Sequence, residues 1–188
     1  GSAVPVRGGL VLSLERMDRI VDMDPANRVM RVEPGVLNQA IQDKAAEHGF
    51  FWPPDPTSAA YCTVGGNIAV NAAGPRALKY GSTRENVLGL VAVTGQGEEI
   101  HTGTYTTKGV VGYDLTRLII GSEGTLAIVT EATLKLTSLP ESRRTLQAVY
   151  ADVRAAAAAV SRIMAQPVTP YALEFMDAAA IEMIRNYS

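Results

Sequence analysis

At 188 residues the chain can hold one full domain and part of a second, and its 47% apolar content is that of a globular protein. Its 17 basic and 19 acidic residues leave a formal charge of −2 with no basic stripe, which argues against nucleic acid as a partner, and no apolar run reaches the length of a membrane span. The single cysteine, Cys62, excludes an intrachain disulfide and a cysteine metal cluster, and His48 and His101 lie too far apart for metal-ligand spacing.

The opening GSAVPVRGG has no apolar stretch of the signal-peptide kind, so a cytoplasmic location is expected. Residues 10–14, LVLSL, read as a short buried strand. Residues 20–23 and 28–32 read as two more, joined by the turn signal DPAN. Gly35 then breaks the chain. Leu37, Ala40, Ile41, Ala45 and His48 recur at helical spacing, which predicts a helix over 36–48 closed by Gly49. His48 at that end suits the helix dipole better than a metal. The prolines of FFWPPDP exclude helix and central strand. Residues 87–94 and 98–102 predict a hairpin around Gly95-Gln96-Gly97, with His101 on its surface. Residues 115–120 predict a helical turn, GSEGT a tight turn, and residues 126–136 a strand. Pro140 and the charged ESRR mark a boundary between domains 1–140 and 141–188. Beyond it the pattern is strand 146–150, a helix capped by Asp152 and running to Met164, strand 171–175, and helix 177–185. That β-α-β-α order is half of a split sandwich.

One segment stands apart. PPDPTSAAYCTVGGNIAVNAAGPRALKYGS, residues 53–82, is dense in small residues and poor in large apolar ones. Such residues let backbone approach a neighbour or a ligand closely. Thr63 is a good cap for a helix running to about Ala72, and Gly65 and Gly66 open its first turn. Free N–H groups there would favour a phosphate or a flavin edge. A loop packed tightly on a neighbouring strand would need the same residues.

PPDPTS at 53–58, CTVGGNIAVNAAG at 62–74, KYGSTRENVLGL at 79–90 and IIGSEGTLAIVTEATLKL at 119–136 follow in that order over most of the chain. Together they resemble the FAD-binding domain of the vanillyl-alcohol-oxidase or PCMH type. The similarity is to the branch holding D-lactate dehydrogenase, D-2-hydroxyglutarate dehydrogenase and the FAD-binding subunit of glycolate oxidase. TPYALEFMD at 169–177 is most similar to the last of these. The resemblance implies an α+β fold. It would be the second lobe of that domain, an antiparallel sheet flanked by helices, followed by the start of a ferredoxin-like substrate domain.

It also implies site residues. Pro54, Asp55, Pro56 and Ser58 match the flavin and ribityl side of the pocket. Thr63, Gly65, Gly66 and Asn67 match the pyrophosphate and ribityl chain. Asn71, Gly74, Tyr80 and Gly81 match the surround of the isoalloxazine, and Glu123, Gly124, Ile128 and Val129 match the last stretch beside adenine or flavin. Two positions depart from the family pattern: Ala127 stands where GTLGI has glycine, and Ala73 where NAGG has glycine. Asp55 and Glu123 could be acid–base carboxylates, but turn motifs favour local hydrogen bonding for both. Tyr80 could stack on a flavin or fill the core. Cys62 reads as a small buried thiol, with FAD held non-covalently.

The implied activity is flavin-dependent oxidation of a 2-hydroxy acid, glycolate or D-lactate. The electron acceptor would not be NAD, since no GxGxxG fingerprint is present. Partner subunits of a glycolate oxidase complex, and through them a peripheral membrane position, are implied as well. The family's first lobe, its substrate arginine, its metal-binding histidines and its catalytic histidine have no counterpart here, so no catalytic or metal-binding residue is assigned. The chain alone is therefore expected to be inactive, to bind FAD weakly, and to self-associate through the uncovered strand 10–14. The alternative is a non-catalytic fragment or binding module that keeps the fold without FAD. An NADPH-using reductase of the related cell-wall type is disfavoured by the GSEGTLAIVTEATLKL segment.

Overall fold

DPAN folds the chain back on itself because the Asp24 carboxylate accepts from both the backbone N–H and the side-chain amide of Asn27, at 3.0 and 2.7 Å. Arg28 completes the turn in the left-handed region at φ 56°. In this computed structural model, which describes residues 5, 6 and 8–187, the turn joins β1 (Ile20–Asp24) to antiparallel β2 (Val29–Val32). β3 (Phe50–Phe51) is a two-residue strand, as the prolines after it require. β4 (Val87–Thr94) and β5 (Glu99–Gly103) form the hairpin expected around GQG, where Gly97 takes φ 81°. The long β6 (Ala127–Lys135) inserts between β2 and β4, giving an antiparallel sheet of order β1-β2-β6-β4-β5. β7 (Thr137–Ser138) pairs with β3 in a second small sheet.

The register explains the core. Met30 faces Leu134, and Val32 and Leu90 both face Ala132, so the central strands β2, β6 and β4 present an apolar side. Helix α1 (Asn38–Ala46) buries Ile41 and Ala45 against it and ends before Gly49, which closes the turn at φ 79°. α2 (Val64–Ala69) adds Val64 and Ile68, and α4 (Leu115–Ile119), capped by Asp114 on the Arg117 amide, adds Ile119. α3 (Ala77–Tyr80) and a 3-10 turn (Thr83–Asn86) have no fully buried apolar residue, and hydrogen bonds from distant segments tie the turn in place. α5 (Val153–Met164) starts as expected, with Asp152 accepting from the Ala155 amide at 2.8 Å, and α6 (Ala178–Tyr187) follows. The fold is α+β.

Three expected strands do not form. Residues 10–14 run without a partner strand, with Leu10 94% exposed, and residues 146–150 and 171–175 are also irregular, with Leu146 94% exposed. A strand needs a neighbour to satisfy its backbone, and a short apolar stretch alone supplies none. The ferredoxin-like reading of the C-terminal segment therefore loses its strands among the described residues, while both helices stand. α2 also stops at Ala69 rather than Ala72.

Glu33 adjoins the stretch that receives α2, where the Pro34 and Val36 carbonyls accept from the helix start. It is only 7% exposed, and its carboxylate takes the Arg19 amide at 2.9 Å and guanidinium at 2.7 Å. Hydrogen bonding from the Arg19 side chain, then from its amide, holds the Glu33 carboxyl below its ordinary value. A carboxyl lowered in the folded state adds stability above its unfolded pKa and loses it as pH falls through the lowered one. Glu33→Gln should therefore unfold at lower urea than the parent at pH 7, and the gap should be smaller at about pH 3, below the ordinary glutamate value of about 4.3. Urea titrations at both pH values check this.

Candidate functional site

The loop 53–62 begins on a buried anchor. Trp52 is fully buried and its indole N–H donates to the Asn86 carbonyl at 2.9 Å. Because prolines lack N–H groups, α1 supplies donors instead: Asn38 to the Pro54 carbonyl at 3.0 Å and Gln42 to the Trp52 carbonyl at 2.8 Å. The Pro56 carbonyl then accepts from Ala59, and the exposed Ser58 accepts at its carbonyl from Tyr61 and from the single, partly buried Cys62. Asp55 pairs with Arg76 Nε at 2.7 Å and accepts from the Arg76 amide at 3.3 Å. Burial nonetheless pushes the Asp55 carboxyl above its ordinary value, against the opposing pull of Arg76. Gly74 is required here, since a Cβ would collide with the Asp55 main chain.

Thr63 caps α2, its hydroxyl accepting from the Gly66 amide at 3.1 Å. The other first-turn donors are engaged as well: Val64 N–H binds the Val36 carbonyl at 2.8 Å and Gly65 N–H the Pro34 carbonyl at 2.7 Å. The expectation of free N–H groups facing an anion is not met in this turn. The two glycines also differ in purpose. A Cβ on Gly65 would lie 2.6 Å from Pro34 Cβ, whereas one on Gly66 would meet only Thr63 Oγ1, at 3.3 Å. Gly65 is a packing glycine, and Gly66 is exposed and open to approach.

The C-terminal end of α2 gathers the remaining motifs. Asn71 takes φ 50°, and its Oδ1 accepts from Ser82 Oγ at 2.8 Å and the Arg84 amide at 2.9 Å. Gly121 N–H donates to the Ile68 carbonyl and Glu123 N–H to the Ala69 carbonyl, so the GSEGT turn docks on the helix. Glu123 is exposed at φ 54° and Gly124 follows at φ 76°. Arg84, not singled out from the sequence although it lies inside KYGSTRENVLGL, donates from Nη2 to the Ile120 carbonyl at 2.8 Å. Thr63, Asn67, Asn71, Glu123 and Gly124 thus meet along one short helix. Gly81, at φ 77°, packs on the Glu85 side chain. Tyr80 sits edge-on to Phe51, ring centres 5.3 Å apart, so its ring already has a protein partner. Ile128 and Val129 lie farther along β6, opposite Val93 and Ala92, and Val129 packs on the core.

Among the described residues, two buried side-chain donors have no partner, Asn67 Nδ2 and Arg84 Nε. An unmet buried donor costs about 1–3 kcal/mol, so a ligand bearing acceptor oxygens or ring nitrogens suits this layer. FAD has both. Among the described residues no group of three or more His, Cys, Asp or Glu could hold a metal, and no helix is long and apolar enough to cross a membrane.

Residues 1–103 match the family model of the FAD binding domain, and residues 139–188 match that of the C-terminal domain of FAD linked oxidases. The chain belongs to the FAD-binding domain family, and FAD is its cofactor. It is 46% identical over 188 residues to the glycolate oxidase subunit GlcD of Bacillus subtilis (strain 168), covering all of this chain and 40% of that protein. It is 41% identical over 177 residues to D-lactate dehydrogenase of Anaerostipes hadrus, covering 94% of this chain and 37% of that one. The chain thus spans well under half the length of these relatives. Among solved structures, alkyldihydroxyacetonephosphate synthase is similar with a TM-score of 0.58 at 26% identity, over 68% of this chain and 23% of that one.

The glycines supply a test. Gly65→Ala should cost about 1–3 kcal/mol of stability through overpacking on Pro34. Gly66→Ala should be near neutral, because a helical alanine offsets its one tight contact. Urea midpoints of the two variants, compared with the parent, check the contrast.

Proposed function

We propose that the chain is the flavin-holding part of an FAD-dependent 2-hydroxy-acid oxidoreductase of glycolate or D-lactate type, passing electrons to an acceptor other than NAD. The observation that carries the reading is the pair of orphaned donors, Asn67 Nδ2 and Arg84 Nε, beside the docked GSEGT turn. The names of the relatives support the substrate class. We place the domain boundary near residue 140. Other subunits of a glycolate oxidase assembly are the natural partners of such a protein.

In this reading Asn67 and Arg84 donate to acceptors of the cofactor, and exposed Gly66 lets it approach the α2 backbone. Pro54, Asp55, Pro56 and Ser58 wall the flavin and ribityl side, with Thr63 and Gly65 fixing the turn between. Asn71, Gly74, Tyr80 and Gly81 shape the far wall, and Glu123, Gly124, Ile128 and Val129 close it. When bound, FAD supplies the two-electron acceptor for hydride leaving the alpha carbon of a 2-hydroxy acid, which becomes a 2-oxo acid. The protein's own share is to hold, orient and keep water from that acceptor.

One observation favours the second reading, a module that keeps the fold without FAD: the first-turn N–H groups of α2 are all spent on the protein. A single set of measurements separates the two. In the protein carrying this chain in its complete reading frame, glycolate or D-lactate should bleach the visible flavin band without oxygen or NAD. Arg84→Met should weaken FAD binding at least about tenfold by calorimetry, the loss expected for one charge-assisted hydrogen bond. The isolated chain should bind FAD more weakly than micromolar. A colourless full-length protein, or a flavin band that neither acid bleaches, would sink the proposal.

A further inference from the structure

The C-terminal segment reaches the flavin-motif loop through a stack of side chains. Arg76 is the hub. Its Nε and amide hold the Asp55 carboxylate, at 2.7 and 3.3 Å, while its guanidinium lies 5.2 Å from the Phe51 ring centre and 5.8 Å from that of Tyr171. Tyr171 also meets Tyr80 edge-on, ring centres 5.7 Å apart. Its outer side takes Arg143, 5.3 Å from the ring centre, whose Nη1 donates to the Tyr171 hydroxyl at 3.4 Å. The order is therefore Asp55, Arg76, Tyr171, Arg143.

The stack is an attachment and not mere filling. A guanidinium is flat, so it can serve a carboxylate at its edge and rings on its faces at once. The described backbone hydrogen bonds of residues 141–176 run only among residues 141–177, so side chains must carry the attachment to the rest. The cluster is also open on one side: a cavity of about 190 Å³ lies against it, lined by Gln42, Asp43, Phe50, Arg76, Arg143 and Tyr171. Tyr171 is thus held by these specific contacts and not by close packing all round.

We propose that Arg76 is a positioning residue for the Asp55 loop, and that Tyr171 of the C-terminal segment seats it there. The loop's geometry then depends on whether that segment is docked. Its bearing on cofactor binding rests on the flavin reading above, but the coupling itself can be tested without any ligand.

Hydrogen exchange on the full chain reads it. The amides of Ala59, Tyr61 and Cys62 are protected by bonds inside the loop. Tyr171→Ala should speed their exchange at least tenfold while the amides of β4 and β6 stay as in the parent. Tyr171→Phe keeps the ring and should restore the parent's protection. Arg76→Lys keeps the charge but not the flat face, and should loosen the same loop. It also decides the matter if Tyr171→Ala does not fold. Loosening confined to residues 141–176, a loop unchanged in Arg76→Lys, or a phenylalanine variant as loose as the alanine variant would each overturn the proposal.

Discussion

The site depends on a short lacing of main chain to main chain. Val64 N–H reaches the Val36 carbonyl, Gly65 N–H the Pro34 carbonyl, and Asn38 N–H the Cys62 carbonyl, all between 2.7 and 2.9 Å. The lacing exists only because residue 65 has no Cβ, which would stand 2.6 Å from Pro34. It joins the end of the sheet to the start of α2, and it drops Val64 and Ile68 into the core. Arg19 pins the other side by clamping Glu33. The helix is therefore placed by backbone geometry, which tolerates a few tenths of an ångström, rather than by side-chain packing, which can adjust.

This placement has a chemical consequence. A helix start attracts phosphate when its first N–H groups are free and aimed outward. Here they hold the fold together. Toward the other end of the helix Asn67 and Arg84 keep unpartnered donors, and Asn71 is committed to Ser82 and the Arg84 amide. Asn71 and Glu123 both take left-handed backbone, which costs a non-glycine residue about 1 kcal/mol or more. Asparagine adopts it readily. Glutamate does not, and in return its N–H reaches the Ala69 carbonyl and fixes the GSEGT turn against the helix.

Much of the frame was legible because it is encoded locally. DPAN, the GQG hairpin, the Asp152 cap and Gly49 each act within a few residues, and each appears where expected. The family motifs marked the small-residue segment before any geometry was known. The 3-10 turn at 83–86 was missed although its signature was present: Ser82 and Glu85 form a capping box at the S-x-x-E spacing. Residues 10–14, 146–150 and 171–175 misled in the opposite direction, since a short apolar stretch signals something to bury but not a partner to pair with. What sequence could not carry was long-range meeting. Trp52 with Asn86, Asn71 with Arg84, and Tyr171 with Arg76 are brought together by topology, and no spacing rule links them.

Asp55 and Arg76 show which force governs this region. An ion pair at 2.7 Å would ordinarily hold a carboxyl low, yet burial outweighs the arginine and holds Asp55 high. Both side chains are about four-fifths covered, so each gives up most of its hydration. A carboxyl raised in the folded state favours folding when protonated, and that advantage is lost as pH rises from its unfolded to its folded pKa. At neutral pH the charged pair is thus held at some cost to stability. The rings of Phe51 and Tyr171 bear on Arg76 whichever state Asp55 is in, because the attraction of a cation to a ring face needs no counter-charge. The arginine is held from two sides by interactions of different origin. It is this double hold, rather than the ion pair alone, that keeps the proline-rich loop against the aromatic cluster.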